Sequence, residues 1–449
     1  MIERKPVCQA LYLQDMTWFI LLVCALTHAY AASAGKVDAT VQSTQGSSDS
    51  AAIVSNEPAN WRKFEGVLSH QMQLTLAERF VKAGEAYFNA DATRIVFQAI
   101  EHDAQGNPES EYYSMYVAQL RDEGKGQSFG PDLRRYRLKH IRRVSPIGSA
   151  NTCGWFHPTD PNKLIFASTV MAPAKQDTPG YQRGTRNYRW SFPPEMRVVE
   201  LDLSVQDITA ESLKPLVGNG KAYAAECSTS PDGRTLLYTS LESGDGDLYV
   251  MDMASKKSTR LTALTGYDGG GFFSPDGKKI VWRADRNGDN LLQIYIADVV
   301  FDSTGAVSGI GEPLAVTNDG AVNWAPYFSP NGKVIVYASS RVGHDNYEIL
   351  AVPVPSDRDA PLGQPRRVTY ADGADLLPAI SPDGKLLMWT SQRGLGRSSQ
   401  LWLANMSQHD LLLGELVAPA AEKSLTPSAT TPSINSPNNS ATAPTEQPK

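Results

Sequence analysis

One hairpin, repeated down the chain, constrains the fold more than any other feature. It reads TSPDGRTLLY at residues 229–238, FSPDGKKIVW at 273–282, FSPNGKVIVY at 328–337 and ISPDGKLLMW at 380–389. A strand end is followed by Ser-Pro-Asp-Gly or Ser-Pro-Asn-Gly, then by a strand rich in β-branched and aromatic residues. Proline presets the backbone at the second turn position, Asp or Asn tolerates the third, and Gly accepts the positive φ that closes the turn. A lone hairpin is marginal in water because its apolar face stays wet. Repetition supplies the missing partners.

Two weaker copies lie upstream, YFNADATRIVFQA from Tyr87 and WFHPTDPNKLIFAS from Trp155, which brings the number to six. Each hairpin is followed by a third strand such as DLYVMDM (247–253), QIYIADV (293–299) or QLWLANM (400–406); in the second copy an insertion displaces it to 197–203. Short strand-like segments, often ending in Thr or Ser, precede the copies at 72–76, 141–145, 213–217, 259–263, 313–317 and 366–370. Four strands per unit at this spacing are the signature of a propeller blade. The last copy has three strands and the first has a spare one in front. The expectation is an all-β, six-bladed β-propeller whose N-terminal strand completes the last blade and removes both sheet edges.

The flanks read differently. Arg4 and Lys5, an apolar run over 18–26 and the small-x-small site Ala29-Tyr30-Ala31 describe a secretory signal peptide over residues 1–31. Residues 32–60 are rich in Ser, Ala, Thr and Gln, as a flexible linker is, and 414–449 form a Pro/Ser/Thr-rich tail expected to be disordered. The propeller is therefore placed at 61–413, in a mature chain without a transmembrane segment. The net charge is −6 and the basic residues are dispersed, which argues against nucleic acid as a partner. Two of the four cysteines leave with the signal; Cys153 and Cys227 remain, either as a disulfide in an oxidising compartment or as two small buried thiols.

The repeated hairpin, with D-x-Y-x-x-D in its third strand, resembles the WD-like Pro-Asp repeat of TolB-type propellers over nearly all of 61–406. That resemblance implies the six-bladed fold and an axial face that binds a peptide-like partner. TolB-type proteins carry an α/β domain ahead of the propeller, where this chain has a short polar linker. The same propeller also serves prolyl-oligopeptidase-type enzymes and oligogalacturonate lyases, so it specifies fold more than function. No G-x-S-x-G elbow or H-E-x-x-H is present, and His70, His102, His140, His157, His344 and His409 are scattered. A binding protein, not an enzyme, is the expectation, periplasmic or secreted and monomeric, with a protein or peptide partner in the cell envelope. The alternative is a lyase or hydrolase acting on a glycan or peptide in the channel.

Aligning the six copies on the turn Ser, or its substitute, yields one constellation. Glu85 and Glu226 stand four residues before it; Asn151, Asp268, Asn323 and Asp375 stand six before it. Both offsets are even, so along regular strands all six share one face and ring one mouth of the channel. Such a ring suits Ca²⁺ or a cationic group on a peptide, and like-charge crowding should then raise at least one carboxyl pKa. Alternatively these residues cap strand ends; no other cofactor is implied. A second candidate is the insertion at 171–194, where Tyr181, Arg183, Arg186, Tyr188, Arg189 and Trp190 are of the types that make binding loops. It serves either a partner or as a packed lid. His157, replacing the turn Ser of its copy, is read as a turn residue. Trp282, Trp324, Trp389 and Trp402 are read as inter-blade packing.

Overall fold

The computed structural model describes residues 61–124, 135–174, 180–182, 187–189, 192–355 and 362–417. The signal-like segment and the linker lie outside them, as does the tail beyond 417. Within them the chain forms six antiparallel blade sheets, each with the first strand of its repeated hairpin innermost, and a separate two-stranded sheet in the insertion. The inner strands are Phe80–Phe88, Asn151–Phe156, Ala224–Thr229, Tyr267–Phe273, Asn323–Phe328 and Asp375–Ile380, in blades 1 to 6. Apart from the strands there are only short 3₁₀ turns among the described residues.

The turn chemistry explains why the hairpin recurs. Ser274 Oγ donates to Asp276 Oδ1 at 2.6 Å while accepting the Lys279 N–H at 2.9 Å, and Gly277 takes φ 71°. Ser230, Ser329 and Ser381 repeat this pattern. In blade 2, His157 Nδ1 instead accepts the Asp160 N–H at 3.1 Å, as its turn role requires. The Thr and Ser residues that end the outer segments also have a local task. Thr75, Ser145, Thr262, Thr317 and Thr369 each accept the N–H of a third-strand residue at 2.8–3.0 Å, tying outer to middle strand.

Ring closure follows the expectation, with the strand starting four residues and ending three residues earlier than expected. Leu68–Gln73 pairs antiparallel with Gln400–Met406. Blade 6 then packs on blade 1 through Met388 and Leu403 against Phe97 and Tyr116, as it packs on blade 5 through Leu387 and Trp389 against Val336 and Ala351. Fully burying such side chains contributes about 1.5–3 kcal/mol each, so an open ring forfeits an entire interface. Past Leu413, where the tail was expected to begin, Glu415–Leu416 adds a two-residue strand beside Arg366–Arg367 on the edge of blade 5.

A buried ionic latch secures the closure. Glu65 sits just after the 3₁₀ turn Trp61–Lys63, and Arg393 follows the second strand of blade 6. Arg393 donates to both Glu65 oxygens at 2.9 and 3.0 Å and to Asp375 Oδ2 at 2.6 Å. Its guanidinium carbon lies 4.2 Å from the Trp61 ring centroid and 5.0 Å from that of Trp389.

Candidate functional site

Every inner strand breaks its register at the same place, and that of blade 1 breaks once more near its start, between Phe80 and Lys82. The residue four before the turn Ser or its substitute adopts positive φ in all six blades: Glu85, Cys153, Glu226, Gly270, Ala325 and Leu377, with φ between 39° and 60°. The ladder slips around each of them, as in a β-bulge. A bulge changes the parity of the strand, so the single ring expected from even offsets separates into two tiers. This corrects the assumption that all six residues share a face.

Asn151, Asp268, Asn323 and Asp375, on the strand-start side of the bulge, are buried in local networks, and Asn151 also borders the channel. Asp268 accepts Trp282 Nε1 at 2.6 Å and pairs with Arg286 at 3.1 Å; Asp375 accepts Trp389 Nε1 and Arg393. Asn323 bonds Gln293, Asp319 and Ser339, and Asn151 donates to the Tyr113 carbonyl of blade 1 at 2.9 Å. The carboxyl of Asp268 is indeed raised above its ordinary 3.8, but burial is the first cause and like-charge repulsion a minor one. Trp282 and Trp389 are fully buried, whereas Trp324 lines the channel.

Glu85 and Glu226, at the bulges themselves, face the central channel. Two residues further along each strand, Tyr87, Trp155, Phe272 and Tyr327 converge, with ring centroids 5.3–6.1 Å apart. These four rings plug the channel and leave a cup of about 320 Å³ above them. Its wall includes Tyr113, Tyr223, Trp324, Gln98, Lys82 and Leu377.

Arg283 enters the cup from the second strand of blade 4, where Ala338 and Thr390 occupy the corresponding places in blades 5 and 6. It pairs with Glu226 at 3.0 Å and donates to Tyr267 Oη at 2.9 Å, and Tyr267 in turn donates to Glu226 at 2.5 Å. Burial holds the Tyr267 phenol well above its usual 10.0, which keeps it a donor. The run Gly269-Gly270-Gly271 makes this possible. A Cβ at Gly270 would overlap the Arg283 guanidinium, and one at Gly269 would overlap Tyr267 and crowd Glu226. A glycine triplet inside a strand, and Pro326 and Pro378 just after their bulge residues, were the available signals for the broken ladder.

Cys153 and Cys227 are free thiols, with Cys227 Sγ 3.3 Å from the Cys153 carbonyl oxygen. Burial, and then the charges of Glu85 and Glu226, push the Cys153 thiol well up. Among the described residues no three His, Cys, Asp or Glu side chains gather as a metal-binding set. In the insertion, Gly180–Gln182 and Asn187–Arg189 pair as a hairpin with Tyr181 opposite Tyr188. Arg183, Arg186 and Trp190 lie outside the described residues. The insertion returns to the cup at Phe192, whose ring packs edge-on at 4.9 Å from Tyr223.

A closed ring of hairpin repeats around a plugged channel defines the class, and sequence comparison agrees with it. Residues 198–313 match the TolB beta propeller domain model. The Tol-Pal system protein TolB of Francisella tularensis subsp. mediasiatica is 32% identical over 174 residues, 39% of this chain and 36% of that protein. The chain thus spans about a third of the length of the curated relatives it matches. Similar solved structures include TolB from Acinetobacter baumannii (TM-score 0.45, 18% identity, 71% of this chain and 65% of that one). Another is oligogalacturonate lyase from Vibrio parahaemolyticus (TM-score 0.42, 11% identity, 76% and 94%). This chain carries a TolB-like six-bladed β-propeller.

Proposed function

We propose that the propeller is an exported binding scaffold of the cell envelope, which holds a protein or peptide partner at the mouth of its channel. The observation that carries this reading is the blind cup: plugged below by four aromatic rings and walled by aromatic and polar side chains from several blades. Rigid concave sites with a few placed polar groups on apolar walls are built to bind. The partner's location rests on the signal-like segment at 1–31 and on relatives named for the Tol-Pal system. The test is capture from an envelope extract by the full chain and by Leu377→Trp, whose indole fills the cup whatever the chemistry of the ligand. A discrete partner held by the first and lost by the second supports the reading. Equal capture by both overturns the cup as the site.

A further inference from the structure

The charges of the cup do not balance. Arg283 answers Glu226, but among the described residues no lysine or arginine pairs with Glu85, although that residue is only 8% exposed. Among the described residues the Glu85 carboxylate is held by neutral donors alone. Thr152 Oγ1 approaches Oε2 at 2.9 Å and the Cys153 N–H reaches the same oxygen at 3.4 Å, while Oε1 has one long bond from Tyr87 at 3.4 Å. Lys82, which also lines the cup, places its Nζ over the Tyr113 ring at 4.7 Å. A second and independent observation lies on the same wall. Gln98 pairs across the ladder with Gly84, the residue next to Glu85; it is 9% exposed, lines the cup, and its buried Oε1 has no hydrogen-bond partner among the described residues. A buried acceptor without a donor is destabilising, and a ligand that supplies the donor recovers that loss.

We infer that the blade 1 wall of this cup is a subsite for an organic cation, an ammonium or guanidinium group, seated between Glu85 and Gln98. A cation with several N–H donors satisfies the open carboxylate oxygen and the orphaned amide oxygen together. The wall is one against which cations already pack: besides Lys82 over Tyr113, the Arg283 guanidinium lies 5.9 Å from the Trp324 centroid. A cup of about 320 Å³ has room for a side chain of this kind. The inference rests on the channel being the binding site, but not on the partner being a protein.

The experiment uses the full chain and three probes in calorimetric titration: N-acetyl-arginine amide, its neutral isostere N-acetyl-citrulline amide, and butane-1,4-diamine. Saturable binding of the cations with none of the citrulline probe is expected. Glu85→Gln should weaken cation binding about tenfold or more, the worth of a charge-assisted contact. Gln98→Met should weaken it as well while leaving the melting temperature unchanged or raised, since a partnerless buried amide is removed; that separates a lost subsite from a damaged fold. Tighter binding of the blocked arginine would point to a partner's side chain, and of the diamine to a free amine; both support the subsite. Equal binding of citrulline, no binding of either cation, or full affinity in both variants overturns it. If the cations fail while Leu377→Trp still loses a captured partner, the scaffold reading stands and this inference falls.

Discussion

Replacing Arg393 with Met tests how the ring is held shut. In the native chain one guanidinium serves Glu65 and Asp375, two carboxylates that are 0% and 1% exposed. Methionine preserves much of the volume between Trp61, Trp389 and Trp402, so packing changes little while both acids lose their cation. Breaking a buried pair by removing one partner costs about 3–5 kcal/mol. At a few degrees per kcal/mol for a domain of this size, the melting temperature should fall by roughly 10 °C. Scanning calorimetry reads the change, and tryptophan fluorescence reports the latch itself. The pH dependence has a definite sign. Burial, the first cause, raises the Glu65 carboxyl above its ordinary 4.5 even against Arg393. A carboxyl with a raised folded pKa loses stability as pH climbs from the unfolded value through the folded one, and without Arg393 the rise is larger. The deficit of the variant should therefore shrink from about pH 8 to about pH 5. Combining Arg393→Met with Glu65→Gln and Asp375→Asn should restore most of the loss, because the uncompensated charges go too. A melting temperature for Arg393→Met within a degree or so of wild type would refute the latch.

Three further outcomes are expected. Gly270→Ala puts a methyl where the Arg283 guanidinium lies and requires φ 60° of an L residue, so it should cost upward of about 1–2 kcal/mol in urea unfolding and displace Arg283 from Glu226 in a crystal structure. Thr317→Val deletes the hydroxyl that accepts the Ile294 N–H at 2.9 Å; a loss of about 1–3 kcal/mol in the same assay is expected, and no change would remove the Thr as a strand tie. The Ser274 hydroxyl holds the Asp276 carboxyl below its ordinary 3.8. Its contribution is present above that value and disappears as pH falls through the lower folded pKa, so Asp276→Asn should flatten the acid limb of the stability profile measured by denaturant unfolding.

Much of this was legible in one dimension because its causes are local. The Ser-Pro-Asp-Gly turn closes through bonds spanning two to five residues, and strand alternation, blade number and the surplus N-terminal strand all follow from counting such units. The site was only partly legible. Glu85 and Glu226 were found, but grouped with four residues that the structure buries in the networks at the strand starts, since offset parity presumes an unbroken ladder. The participants that complete the site, Arg283 and Gln98, stand on second strands with no motif to mark them.

Sequence by itself determined the blades, their order and the closing strand, since each is fixed by a turn or a run of alternating residues close in the chain. Tertiary structure decided which side chains meet at the axis. Six bulges set which residues face the channel, a glycine triplet admits Arg283, and Glu65 meets Arg393 across 328 positions. Those contacts join residues that share no local period, so only closing the ring brings them together.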